Sequence, residues 1–401
     1  MTSLANGMYE GAVSCLRRCC GPEGLRASAG KAGHTQVWTR DAMIALLGAS
    51  LTEDPVITEC LVRSVALLKS LQSPSGEIPN NVDSGSLRPN FRAYADGGLW
   101  WIIGSCILQP DPSAIDRVLQ WYECQDVDQS GLLSMQESSD WQDLLCTRGK
   151  GLYVNCLYVM ALEAAAGVLA GERAAECRRK AEFVRSEINR NFWYRGDGNL
   201  LPHIRQTFST ENVQELDSLG RKRWIPQKQF LVEERYYLPW LGFRACGEWF
   251  DTLGHCVAIL AGVADSNQME IIFTFIEMHG LAGWPAKAIH PQIRPGDPDW
   301  REYYGIHNTP GLYHNGGIWP FIGGFYVAAL VKAGRLEAAE DALTRLAEIN
   351  EAGGFNEWHH GDTGEPLGMR DQAWSAGMYI YAHQCVKYRR VIRNGSAENP
   401  A

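Results

Sequence analysis

The sequence predicts an all-α fold: a toroid of helical hairpins, one ring inside another, with the functional loops gathered at one end. Three observations carry this reading. Apolar residues recur at three- and four-residue spacing over 42–51, 57–72, 152–171, 173–192, 255–264, 267–280, 325–350 and 374–388, the pattern of a helix with a buried face. The intervals between them are long and rich in Gly, Pro, Asp and Asn, as in SPSGEIPNNVDSGS, KAIHPQIRPGDPDW and NEWHHGDTGEP, which break helices and read as loops. No stretch sustains period-two alternation, a short candidate near Gly198–Thr207 apart. About ten to twelve helices result. No fixed-period repeat runs through them, which disfavours a regular solenoid. No low-complexity linker divides the chain, so it reads as one domain over 1–401, with an N-terminal helix or arm over 1–30 and a flexible tail over 388–401.

Composition narrows the function. The 401 residues carry a net charge of −9 and no long lysine/arginine block, so nucleic acid and anionic membrane are not expected partners. The N-terminus lacks an apolar signal core and no apolar run is long enough to span a bilayer, so a cytoplasmic protein is expected. Twelve cysteines lie scattered, many in helical segments, without paired spacing, as buried thiols of a reducing compartment would. No metal is expected, because no cysteine or histidine set has ligand spacing, and no cofactor, because a pair of carboxylates would supply both proton transfers.

The aromatic residues point at the ligand. Of 14 tryptophans, many fall in loops or at helix mouths beside Asp, Glu, Asn and His. An indole offers a broad apolar face and one N–H, which suits a sugar ring with its apolar faces and hydroxyl edges. Taken singly, each is as readily a core residue.

Four stretches carry chemistry. In HTQVWTRDAMIALLGAS, Trp38, Arg40 and Asp41 stand at a helix start, where Asp41 is either a structural first-turn acid or, with Arg40, a partner for sugar hydroxyls. In YADGGLWWIIGS, Asp96 and Gly97-Gly98 precede Trp100-Trp101, one of which should face the core and the other the cleft. In SSDWQDLL, a helical first turn would put Asp140 and Asp143 on one face with Trp141 beside them. Two close carboxyls and an indole that excludes water would keep one carboxyl protonated as a general acid, whereas a helix cap with an acidic first turn is the plainer alternative. The residues alone do not choose between Asp140 and Asp143. In GGFNEWHHGDTGEPLGMRDQAWSAG, Glu357 lies in a glycine-rich loop suited to activating water, ahead of Gln372 and Trp374 at the next helix start. Between the last two, YHNGGIWPFIGGFY places His314 and Asn315 before Trp319-Pro320, the proline at a helix start. There is no phosphate loop, no G-x-S-x-G elbow and no strand-linked G-x-G-x-x-G.

In this order, Trp38-Thr39-Arg40-Asp41, Asp96 to Trp101, Asp140-Trp141-Gln142-Asp143, Tyr313 to Pro320 and the Glu357 loop ending in Gln372-Ala373-Trp374 resemble the (α/α)6-barrel glycoside hydrolases. Alkaline/neutral invertases and the glucosidase domain of glycogen-debranching enzymes are the nearest in pattern, and the resemblance covers residues 34–386. It implies an (α/α)6 toroid with the site in loops at one end, Asp143 as general acid, Glu357 as general base, and sugar contacts from Trp38, Arg40 and Asp41. Asp96, Trp100, Asp140, Trp141, His314, Asn315, Trp319, Gln372 and Trp374 join these as expected substrate contacts. The chain departs from the invertase pattern at Phe355–Gly361 and at Arg148–Leu152.

The expected function is therefore an inverting, exo-acting hydrolase of a short α-glucoside, sucrose among the possible substrates. Its partner is a small oligosaccharide or glucoside, and a homo-oligomer is open. Two other classes compete: a sugar epimerase or isomerase working through His34, His314, His359 and His360, and a glycan-binding protein that keeps the tryptophans but needs neither carboxyl.

Overall fold

The computed structural model describes residues 1–29, 33–92, 94–195, 212–216, 219–226, 234–242 and 245–392. The strand candidate at Gly198–Thr207 and the tail beyond Ile392 lie outside them. Among the described residues there are thirteen helices: twelve alternate between two concentric rings, and the short Tyr304–His307 lies in a loop. The outer helices are α1 (Ser3–Cys19), α3 (Pro55–Ser70), α5 (Pro112–Glu123), α7 (Gly171–Asn191), α9 (Ser266–Met278) and α11 (Leu336–Gly353). The inner helices are α2 (Thr39–Ala49), α4 (Gly97–Leu108), α6 (Leu152–Val168), α8 (Thr252–Leu260), α10 (Pro320–Lys332) and α12 (Ala373–Tyr388). Each inner helix packs on the next, and α12 closes the ring against α2. The N-terminal helix α1 packs on α12 and α11 as part of the outer ring.

The two rings differ as their sequences require. Inner helices are buried on every side: α10 is buried from Pro320 to Val331 and α12 from Ala373 to Val386, as all-round apolar helices must be. Outer α7 buries only Ala174, Cys177, Ala181, Val184 and Ile188, a single stripe at three- and four-residue spacing. The α2–α12 seam is so close that a Cβ on Gly48 or Gly377 would run into the opposite backbone. Four of the six outer helices start with a side-chain cap, Thr2 supplying that of α1, while α7 and α11 have none. Asp54 and Asp111 cap α3 and α5 ahead of Pro55 and Pro112, and Asp265 forms a capping box with Gln268 on α9. Inner helices have no side-chain N-cap at all.

Connections sort by length and so by end. Five of the six inner helices run into a following outer one through a short turn (50–54, 109–111, 169–170, 261–265, 333–335), while the return to the next inner helix is long. All six inner N-termini therefore open into one set of long loops. Small antiparallel pairings brace those loops: Val37–Trp38 with Asn81–Val82 and Trp358–His359 with Pro366–Leu367. All twelve cysteines are free thiols. Among the described residues no helix is long and apolar enough to cross a membrane.

SSDWQDLL departs from the expectation. Residues 138–145 are not the first turn of a helix but part of the loop between α5 and α6. The reason is local and tertiary together. The Asp140 carboxylate accepts the Gln142 N–H at 2.8 Å, an Asx turn that competes with helix. The loop is also pinned from outside, where Tyr304 Oη accepts the Cys146 N–H at 2.7 Å and Asn308 Nδ2 donates to the Leu144 carbonyl.

Candidate active site

The loop sends its two aspartates different ways. Asp140 is 1 % exposed. Burial pushes its carboxyl well above the usual range, and the Asp96 charge adds to this. Asp143 is half-buried and opens toward the mouth, with Tyr94 Oη donating to its Oδ2 at 3.3 Å. Burial raises its pKa, while Arg40 and the Tyr94 O–H pull the other way. The expected like-charge pair of Asp140 and Asp143 does not form. The carboxyl whose charge adds to the rise at Asp143 is Asp96. At Glu357 burial raises the pKa, the Met369 N–H donating to Oε2 at 3.0 Å opposes this, and the Asp143 charge adds a smaller rise.

Glu357 is positioned by its loop. Helix α11 ends at Gly354 in the left-handed conformation, Phe355 follows at φ 55°, and the Glu357 N–H donates to the Met369 carbonyl at 2.8 Å beside the Trp358–Leu367 pairing. A Cβ on Gly368 would meet Glu357 Oε2 and the Trp358 indole, so the site requires that glycine.

Arg40 and Asp41, at the start of α2, complete the charged centre. Arg40 Nη1 lies 3.3 and 3.4 Å from the Asp96 carboxylate oxygens. Burial works against the Arg40 charge, but Asp96, Asp41 and Asp143 more than offset it, so the guanidinium stays ionised. Burial pushes Asp41 up to about 6, Arg40 opposing and Glu357 adding. Asp96 is fully buried; besides holding Arg40 it accepts from Tyr153 Oη at 3.2 Å, and Tyr153 accepts the Trp100 indole N–H at 2.6 Å.

The aromatic residues form a floor beneath these groups. Phe321 and Trp374 stack at 4.3 Å, His314 and Trp319 at 5.2 Å, and Trp141 meets His314, Trp319 and Phe321 edge-on. Trp141, Trp319 and Trp374 are buried, as are both Trp100 and Trp101, the latter donating to Val65. The expectation that one of Trp100 and Trp101 faces the cleft is corrected: both indoles are packed inside. Trp38, Tyr313 and Trp358 remain half-exposed. The indole nitrogens of Trp38, Trp141 and Trp374 and Gln372 Oε1 are buried without a protein partner, which marks polar groups available to a ligand or water.

Two expected contacts are turned inward. Asn315 Oδ1 accepts from Ile293 N–H at 2.7 Å, and its Nδ2 donates to Ile293 and Asn308 carbonyls, tying two loops together. His314 is buried, and desolvation and then Arg40 hold its pKa well below the usual value. His359 and His360 are engaged with their own loop. His359 Nδ1 lies 3.1 Å from the Gly364 carbonyl, and His360 Nδ1 accepts the Asp362 and Thr363 N–H groups. Among the described residues no group of three His, Cys, Asp or Glu side chains is placed to hold a metal ion. Tyr94 and Tyr313 belong to the mouth; both open stretches the sequence singled out, YADGGLWWIIGS and YHNGGIWPFIGGFY, but neither was given a role there.

A closed double ring of helices, with its carboxyls gathered where the inner helices begin, is the (α/α)6-barrel architecture. The solved structures it superimposes on share it. The mannosylglycerate hydrolase from Thermus thermophilus in complex with Tris matches with TM-score 0.65 at 13% identity, over 93% of this chain and 99% of that one. A bacterial glucoamylase complexed with acarbose gives TM-score 0.63 at 15% identity, over 96% and 57% of the two chains. Within that class the chain belongs to the alkaline and neutral invertase family, whose profile matches residues 113–388. Probable alkaline/neutral invertase D of Arabidopsis thaliana is 28% identical over 362 residues, 79% of this chain and 65% of the relative. Alkaline/neutral invertase CINV1 from the same plant is 28% identical over 79% of this chain and 63% of its own length. The chain thus spans less than two thirds of these curated relatives.

Proposed function

We propose that the protein is an inverting, exo-acting glycoside hydrolase of a short α-glucoside, with Asp143 as general acid and Glu357 as general base. One observation carries the reading. Asp143 and Glu357 come from distant loops, are half-exposed at the same mouth, and the charge of the first raises the pKa of the second. Burial favours the protonated form that Asp143 needs in order to give its proton to the departing oxygen. Glu357, fixed by the Met369 N–H, takes a proton from water as that oxygen bonds to the anomeric carbon from the opposite face. The C–O bond to the aglycone breaks in the same step, and inversion needs the carboxyls roughly 6.5–9.5 Å apart to admit the water. Solvent then reprotonates Asp143 and deprotonates Glu357.

Arg40 and Asp41, presented by the start of α2, fit hydroxyls of the bound glucosyl unit, charge-assisted on both sides. The family favours sucrose as substrate. The neighbour described as a mannosylglycerate hydrolase makes a glyceryl-type aglycone the second choice. The test is to incubate the purified protein with sucrose, trehalose, kojibiose, isomaltose and glucosylglycerate, with Asp143→Asn and Asp140→Asn in parallel. Release of glucose from one substrate, abolished in Asp143→Asn and retained in a folded Asp140→Asn, is the expected result. No release across the panel, or an undiminished Asp143→Asn, would remove the reading.

A further inference from the structure

Tyr313 is the residue at the mouth that the two-carboxyl scheme leaves unused. Its backbone lies at φ 46°, a conformation that costs a bulky residue free energy and persists only where the surroundings over-determine it. They do so here. The Tyr313 carbonyl accepts the Gly317 N–H and the Trp319 indole N–H, each at 3.0 Å, and a Cβ on Gly317 would collide with the Tyr313 backbone. The ring is boxed by His314 at 4.1 Å, Trp319 at 5.0 Å and, edge-on, Trp358 at 5.6 Å. Trp358 is the chain neighbour of Glu357, so the phenol is held on the base's side of the mouth. Among the described residues its hydroxyl has no hydrogen-bond partner. Burial raises its pKa well above the usual value, and the Glu357 and Asp143 charges raise it further, so the group remains an O–H donor.

We propose that Tyr313 is a catalytic residue whose hydroxyl donates to the water that Glu357 deprotonates, holding that oxygen in line with the anomeric carbon. The inference rests on the hydrolytic reading above. The tyrosine keeps its proton throughout: one water hydrogen passes to Glu357, the water oxygen bonds to the anomeric carbon, and the aglycone leaves with the proton of Asp143. The strained backbone then has a purpose, since it fixes the point from which the phenol reaches into the mouth.

The experiment compares wild type, Asp143→Asn, Glu357→Gln and Tyr313→Phe on the glucoside substrate and on α-glucosyl fluoride, whose leaving group needs no protonation. Thermal melting checks that each variant is folded. Tyr313→Phe is expected to lose about 100-fold in kcat on both substrates with KM nearly unchanged, following Glu357→Gln, while Asp143→Asn recovers on the fluoride. A Tyr313→Phe defect confined to the glucoside would place the residue on the acid side and overturn the inference, as would a variant with wild-type kcat. An Asp143→Asn enzyme fully active on the glucoside, beside a defective Tyr313→Phe, would sink the acid assignment and leave the tyrosine standing. A wild type inert on both substrates would remove both.

Discussion

At one end of the toroid the six inner helices begin; at the other they stop, and the two ends are finished in opposite ways. Where the helices stop, the chain turns back within a few residues and the exposed carbonyls are covered. Arg178 donates to the Ala166 carbonyl at 3.0 Å, Arg185 to Ala261 at 3.2 Å and Asn189 to Val263 at 2.8 Å, cationic or amide donors where the helix dipole is negative. Above them lies a cavity of about 490 Å³ walled by Leu47, Ile103, Met160, Leu260 and Phe325, and Arg185 is further paired with Glu163 and Glu182.

Where the helices begin, no inner helix has a side-chain cap, and buried donors go unpaired. Non-glycine residues at positive φ flank the site elements: Ser138 ahead of Asp140, Tyr313, Phe355 ahead of Glu357, and Asp371 ahead of Gln372. Strain and unsatisfied polarity gather around the candidate site, while a smaller set lies at the other end, with Glu53 and Arg389 at positive φ and Ser50 Oγ, His383 Nδ1 and Gln384 Oε1 unpaired.

Substitutions at each end should separate the two roles. Asp143→Asn and Glu357→Gln should each lower kcat by about 10³-fold with little change in melting temperature. Arg185→Met should leave kcat alone and cost about 1–2 kcal/mol of stability by denaturant titration, because it uncovers the end of α8. A large kcat loss from Arg185→Met would mean that the ends are not separable.

Charge burial at the mouth gives a second test. Burial pushes Asp251, just before α8, up to about 7 from a usual value of 3.8. Between those values the folded chain holds a proton that the unfolded chain has lost, so stability falls as pH rises across this window and levels off above about 7. Asp251→Asn removes the titrating group. Its melting temperature should fall less than that of the wild type between pH 4 and pH 8, and parallel curves would contradict the assignment. A more modest change concerns the acid itself. Tyr94 Oη stabilises ionised Asp143, so Tyr94→Phe should raise the Asp143 pKa and carry the alkaline limb of the pH–rate profile upward. A downward move would mean that Tyr94 stabilises the protonated form.

The rings were legible in the sequence because helical periodicity survives in any context: the segments at 152–171 and 173–192 became an inner and an outer helix at the residues their spacing marked. The charged centre was legible as composition, since Arg40, Asp41, Asp143 and Glu357 stood in aromatic, glycine-rich stretches. What spacing could not give was direction. Whether Asp140 or Asp143 reached the mouth was decided by an Asx turn and by Tyr304 and Asn308, more than 150 positions along the chain. For the same reason Asp96 and Asn315 looked like sugar contacts although the fold uses them to hold Arg40 and a loop. Tyr94 and Tyr313 stood at the head of two of those motifs, and nothing in the spacing gave them a role of their own.

If Asp143 and Glu357 act from opposite faces of one glycosidic bond, the first glucose released from an α-glucoside carries the record in its anomeric configuration. Proton NMR reads that configuration before mutarotation erases it. β-Glucose appearing first is the predicted result, since water guided by Glu357 enters opposite the departing oxygen. α-Glucose appearing first would mean retention through a covalent intermediate, with carboxyls about 5 Å apart and a nucleophile where the base has been placed.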